Sequence, residues 1–178
     1  KQAFPRGKYP NVRLELKTRL GTFGWGQDQA PGKFDDPRIK LHDTQSVGGV
    51  ADWSPYKLRD WLLEADCMMF LSKGEGYGMP PREAMCTGLP TIFADHTGMK
   101  SMTSEAHTWP IRTHHKEDSP LGGAWRIPDW DQAIDTMRWM VQNREEAYQK
   151  GYEGGKWFIA NHGEAVAASQ LKAVIDSV

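Results

Sequence analysis

Residues 70–88 read FLSKGEGYGMPPREAMCTG, and residues 91–94 just beyond them read TIFA. The run 67–71 is short, apolar and closed by glycines, the pattern of a buried parallel strand. Gly74, Gly76 and Gly78 alternate through the turn that follows, where a missing Cβ lets a backbone approach a ligand closely. Pro80 and Pro81 mark the start of a helix, because a proline there removes no helical hydrogen bond. Glu83 is expected in the first turn of that helix, and Gly88 ends it. Strand, loop, helix and a second compact strand at 91–94 make one unit of a doubly wound α/β sheet. Such a sheet presents its ligand crevice at the strand ends. Glu75 and Glu83 flank the loop with seven residues between them and supply carboxylates that accept from hydroxyls.

Working outward, residues 12–18 alternate Val12, Leu14 and Leu16 with polar side chains, the period of a half-buried strand. Residues 21–37 are rich in Gly, Pro, Asp and Gln and read as a long loop. Residues 38–42 and 107–112 are further strand candidates. Ser54 and Pro55 open a helix whose apolar face is Leu58, Trp61, Leu62 and Ala65. The last third is helical. Asp129 with Gln132, and Asn143 with Glu146, have capping-box spacing. Ala133, Ile134, Met137, Met140 and Val141 form one apolar face, and Ala167, Leu171, Val174, Ile175 and Val178 another. The fold expected is a parallel sheet of four or five strands with helices on both faces and a helical C-terminal segment.

The 178 residues suit one domain, here taken as residues 1–178. With 22 basic and 23 acidic side chains, the charge balance asks for neither nucleic acid nor an anionic membrane. No apolar run approaches the roughly 18 residues that would span a bilayer. Cys67 and Cys86 fall in a strand and a helix of one motif, which suits two buried thiols in a reducing compartment, hence a cytoplasmic setting.

The central stretch resembles the donor-binding signature of retaining GT-B glycosyltransferases of family four, the group 1 type. Ser72, Glu75, Gly76, Tyr77, Gly78, Met79, Pro80, Glu83, Ala84, Met85, Gly88 and Pro90 match its pattern without a gap. The resemblance implies the donor-binding, C-terminal lobe of an enzyme that moves a sugar from a nucleoside diphosphate sugar to an acceptor with retention. It implies Glu75 as the catalytic carboxylate beside the donor sugar. Gly76, Tyr77, Gly78, Met79 and Pro80 would line the donor site, and Glu83 would hold the ribose hydroxyls. The donor is the substrate, and no further cofactor or metal is implied. Family members carry an earlier strand, a basic pair and an acceptor lobe upstream, and none of these is assignable here. The resemblance therefore implies a chain truncated at its N-terminal strand, a weak binder and inactive by itself. A non-catalytic nucleotide-sugar-binding domain and a related sugar-nucleotide epimerase or phosphorylase are the rival readings.

Each feature also has a plainer explanation. Glu83 stabilises a helix start simply by its charge, and Glu75 is then a solvated loop carboxylate. Asp129-Trp130-Asp131 has the spacing of a metal-binding Asp-x-Asp, but it follows Pro128 at a helix start and reads as a cap. The spacing of Gly74, Gly76 and Gly78 fails the dinucleotide fingerprint. Trp25, Trp53 and Trp109 fall in or near loops, and Trp53 with Gly48-Gly49 is a candidate for contact with a base.

Overall fold

The computed structural model describes residues 3–18, 35–43, 53–119 and 122–177. They fall into two compact units, residues 1–58 and 59–178.

In the first unit, β1 (Leu14–Thr18) and β2 (Ile39–Asp43) pair in parallel with Leu16 opposite Leu41. Arg38 ties the start of β2 to the N-terminal segment. It donates to the carbonyls of Tyr9 at 2.7 Å and Phe4 at 2.9 Å and forms an ion pair with Asp36 at 2.7 Å. The Arg38 guanidinium holds the Asp36 carboxyl well below the usual carboxylate range. Of the long loop expected over 21–37, residues 21–34 lie outside the described residues.

The helix α1 (Pro55–Leu63) starts where expected. Ser54 Oγ accepts from the Lys57 N–H at 3.2 Å, and Leu62 is the residue of its apolar face that is buried.

The second unit is built on β3 (Met68–Phe70), α2 (Met79–Cys86), β4 (Thr91–Ala94) and β5 (Trp109–Ile111). Its three strands are parallel in the order β3-β4-β5. All four residues of β4 are buried, as a strand covered on both faces requires. Side chains alternate across a strand, so Phe93 and Ile92 face opposite ways. Phe93 packs with Met85, Met99, Met102 and Phe158, and Ile92 with Ile111, Ala133, Met140 and Ala147. Among the described residues the parallel strands are hydrogen-bonded as a pair in the first unit and as a triple in the second.

An antiparallel hairpin, β6 (Thr113–Asp118) and β7 (Ala124–Pro128), follows. The sequence of β6 is polar throughout, so nothing in its hydropathy announces it. Gly122 and Gly123 near its tip both have positive φ, 86° and 77°.

Three helices complete the chain: α3 (Trp130–Gln142), α4 (Arg144–His162) and α5 (Glu164–Asp176). Half of the first capping box forms, with Asp129 Oδ1 accepting from the Gln132 N–H at 2.9 Å. The Gln132 side chain accepts instead from the Arg112 N–H at 2.8 Å. The second box does not form. Asn143 Nδ2 turns back to the Trp139 carbonyl at 2.8 Å, so its side chain caps nothing. Of the expected apolar stripe, Ala167, Leu171, Val174 and Ile175 lie on α5, where no residue is buried, and Val178 lies outside the described residues.

The buried face of α4 is Ala147, Gly151, Gly154, Gly155 and Phe158, so three of its five positions are glycine. A Cβ on Gly151 would lie 2.8 Å from Pro90 N, and one on Gly155 2.8 Å from the Met85 carbonyl. A Cβ on Gly154 would run into the His107 carbonyl. Glycine inside a helix disfavours it by about 1 kcal/mol relative to alanine, so these three positions are kept for the approach of backbones.

Two outcomes follow from this packing. Gly154→Ala should destabilise the protein by about 1–3 kcal/mol through overpacking, opposite in sign to the helix-propensity gain of about 1 kcal/mol. Urea unfolding followed by circular dichroism measures it, and a stabilised variant would contradict the docking described. For Asp129, the Gln132 N–H, then His114 and Arg112, outweigh burial and hold the carboxyl below its usual range. A depressed folded pKa contributes stability that is complete above the unfolded value of about 4 and fades as pH falls through the folded one. The melting-temperature gap between the wild type and Asp129→Ala should therefore narrow below about pH 4. A gap that stays constant would refute the cap.

Candidate functional site

The loop between β3 and α2 lies on the turn that follows β4. Ser72 Oγ–H donates to the Gly74 carbonyl at 3.0 Å, and the Ser72 carbonyl accepts from His96 Nε2–H at 2.7 Å. His96 is buried, and its Nδ1 lies 2.9 Å from Thr97 Oγ1. Thr97 Oγ1–H in turn donates to the Glu75 carbonyl at 2.7 Å, and the Gly98 N–H reaches the same oxygen at 3.4 Å. Thr97 holds φ of 44°, the one positive-φ residue other than glycine among the described residues. For a β-branched residue this is strained. Sequence reading missed His96 and Thr97; their signal was the His-Thr-Gly run directly after a buried strand.

Glycine is obligatory at two points of the contact. A Cβ on Gly98 would run into the Gly76 carbonyl and lie 2.9 Å from Tyr77 Cα. Gly78, at φ 76°, is the N-cap of α2, and a Cβ there would come within 2.9 Å of Met99. Gly76 differs, since a Cβ on it would meet nothing within 4 Å.

The structure moves two expected features. The helix begins at Met79, so Glu83 falls in its second turn rather than its first, and it is half-buried. The prolines caused the misreading, because they sit inside the first turn instead of at its threshold. Cys86 is exposed rather than buried, on the outer side of α2. Cys67 is half-buried just before β3, and burial, then Asp66, pushes its thiol up to about 11. Both cysteines are free.

Glu75 is half-buried, Gly76, Tyr77, Met79 and Pro80 are exposed, and Gly78 is buried under the helix start. Arg82, which sequence reading passed over, is buried beneath Tyr77, its guanidinium 3.7 Å from the ring centre. It donates to the Tyr77 carbonyl at 2.9 Å and the Gly98 carbonyl at 3.0 Å, joining the loop to the turn.

The other candidates pack. The Lys57 ammonium covers Trp53 at 4.9 Å, and that of Lys150 covers Trp109 at 4.4 Å. Trp25 and Gly48-Gly49 lie outside the described residues. Asp129 is a cap, and among the described residues no group of three potential ligands could hold a metal. An open groove lined by Trp109, Arg112, Asp129, Asp135 and Trp139 shares no residue with the loop. Among the described residues no helix is long and apolar enough to cross a membrane.

The family model described as "Glycosyl transferases group 1" matches residues 51–157, which contain the whole loop and its supporting turn. No curated protein sequence matches the chain. Among solved structures, the chain is similar to one in "Crystal structure of GtfA/B complex", with a TM-score of 0.59 and 17% identity. That likeness covers 96% of this chain and 31% of the other, and it shows the fold: Rossmann-like α/β of the GT-B kind. With well over half of its residues matched, this chain belongs to the group 1 glycosyltransferases.

Proposed function

We propose that this chain is the donor-binding lobe of a retaining glycosyltransferase that takes its sugar from a nucleoside diphosphate sugar. The observation that carries the reading is Gly76. Its φ is not positive and its side-chain space is open, so the interior of the fold gives no reason for a glycine there. A ligand that approaches the backbone closely would account for it. Around it stand Glu75 and Glu83 as hydroxyl acceptors and the uncapped N-terminus of α2, which favours phosphate. Tyr77, Met79 and Pro80 are exposed and form the cover of the site.

In this reading Glu83 accepts from the ribose hydroxyls, and Glu75 accepts from the sugar. Glu75 also stabilises positive charge growing at the anomeric carbon as the diphosphate departs. Retention asks for stabilised leaving-group charge more than for a strong base. The acceptor binds to a lobe outside residues 1–178, and the free thiols suit a cytoplasmic setting.

The test measures binding of UDP, GDP and ADP and of their glucose conjugates by titration calorimetry. One series should bind, and Glu83→Ala should weaken the bare nucleotide by about 2 kcal/mol, roughly 30-fold. Glu75→Gln should leave the bare nucleotide unchanged while reducing the extra affinity conferred by the sugar, and should lower turnover of the whole enzyme about tenfold. Unchanged nucleotide affinity in folded Glu83→Ala would remove the ribose role. Equal losses for nucleotide and conjugate in Glu75→Gln would move that residue to the nucleotide.

A further inference from the structure

Arg82 is a buried cation without a counter-charge. Its side chain is 4% exposed. Its three hydrogen bonds go to neutral oxygens: the Tyr77 and Gly98 carbonyls and, at 2.7 Å, Ser101 Oγ. Its remaining nitrogen, Nη1, is buried with no hydrogen-bond partner. Among the described residues no carboxylate forms an ion pair with it. A guanidinium taken out of water is stable only where nearby negative charge or a full set of acceptors replaces hydration. Arg82 has no such charge and an incomplete set of acceptors, the faces of Tyr77 at 3.7 Å and Phe158 at 5.7 Å compensating it in part, and its charge reaches its surroundings. Burial and then the charge of Arg82 hold His162 below its ordinary pKa.

The start of α2 explains where a counter-charge is wanted. The first four N–H groups of a helix lack partners inside it and make the usual anion site. Here Pro80 and Pro81 occupy two of those positions and carry no N–H. The anion site is therefore short of donors, and Arg82, the next residue of the helix, bonds back to the Tyr77 carbonyl just ahead of it. The guanidinium also orients what is left. All peptide bonds are trans, so a Tyr77 carbonyl turned toward Arg82 aims the Gly78 N–H the opposite way.

Building on the nucleotide-sugar reading above, we propose that Arg82 completes a diphosphate site. It pins the Tyr77 and Gly98 carbonyls from below and supplies the positive charge that two prolines withhold from the helix start. It acts through the loop and through its field rather than by touching phosphate.

The 178-residue chain, Arg82→Met and Arg82→Lys are titrated with UDP, GDP, ADP, their nucleosides and inorganic pyrophosphate, using calorimetry and ligand-observed NMR. For the base that binds, Arg82→Met should lose about tenfold or more in diphosphate affinity while the nucleoside changes less than about twofold. Arg82→Lys keeps the charge and should stay within about threefold of wild type for the diphosphate. Pyrophosphate should follow the diphosphate, which assigns the effect to the phosphates rather than the base. Equal losses for nucleoside and diphosphate would reduce Arg82 to a strut and overturn the inference. Unchanged diphosphate affinity in Arg82→Met would overturn it while leaving the donor-binding reading intact. Binding of none of the diphosphates by wild type would sink both. If Arg82→Met does not fold, folded Arg82→Lys decides, because loss of its preference for diphosphate over nucleoside would reject the charge role.

Discussion

Backbone lies directly on backbone where Gly98 meets Gly76, and the site depends on that contact. With no side chain between them, the turn after β4 fixes the height of the loop after β3 to within a van der Waals radius. Thr97, His96 and Arg82 then hold three successive stretches of the loop by its carbonyls. A second contact of the same kind lies on the far side of the motif. There Gly151, Gly154 and Gly155 let α4 press on the end of α2, the entry to β4 and the His107 carbonyl. The motif 70–90 is thus located at both ends by glycines on neighbouring elements, which leaves its own exposed side chains free to be chosen for a ligand.

Much of this was legible before any coordinates. Strand β4 announced itself as an apolar run without alternation, because both of its faces are covered, whereas β3, read the same way, is only half-buried. The start of α3 was legible in Asp129 and that of α1 in Ser54, since cap chemistry is local. The features that escaped reading are those set by neighbours distant in sequence. Arg82 looked like any solvent-facing residue of a short helix, and only the Gly98 and Ser101 oxygens, 16 and 19 residues on, make a buried place for it. The glycines of α4 looked like weak helix formers, and their value appears only when Pro90 and His107 arrive against them. Strand β6 is polar throughout, so its pairing with β7 is carried by backbone bonds that leave no mark on composition. Asn143 and Glu146 had the spacing of a cap, but the Trp139 carbonyl offered the asparagine a closer partner.

The buried and strained groups gather at one place. Thr97 is held in a backbone conformation that suits glycine, and Arg82 and His96 are among the few polar side chains in the interior. Each is unfavourable by itself, and each bonds to the same loop. Such groups persist where surrounding structure over-determines them, and they concentrate where a chain has been shaped for something other than stability. Arg82, His96 and Thr97 all fall inside the span matched by the family model, though none of them was read from the sequence as a site residue.

The hairpin adds one more connection. The Arg126 N–H donates to the Lys73 carbonyl at 2.8 Å, the Lys73 ammonium lies 5.1 Å from the centre of the Trp125 ring, and the indole rests against Gly74. The emission of an indole responds to the electric field across its ring, and here the Lys73 ammonium, paired with Glu117 at 3.3 Å, and the first glycine of the loop share that ring. Drawing Lys73 away from Trp125 would therefore shift the emission of this indole, one of eight in the chain.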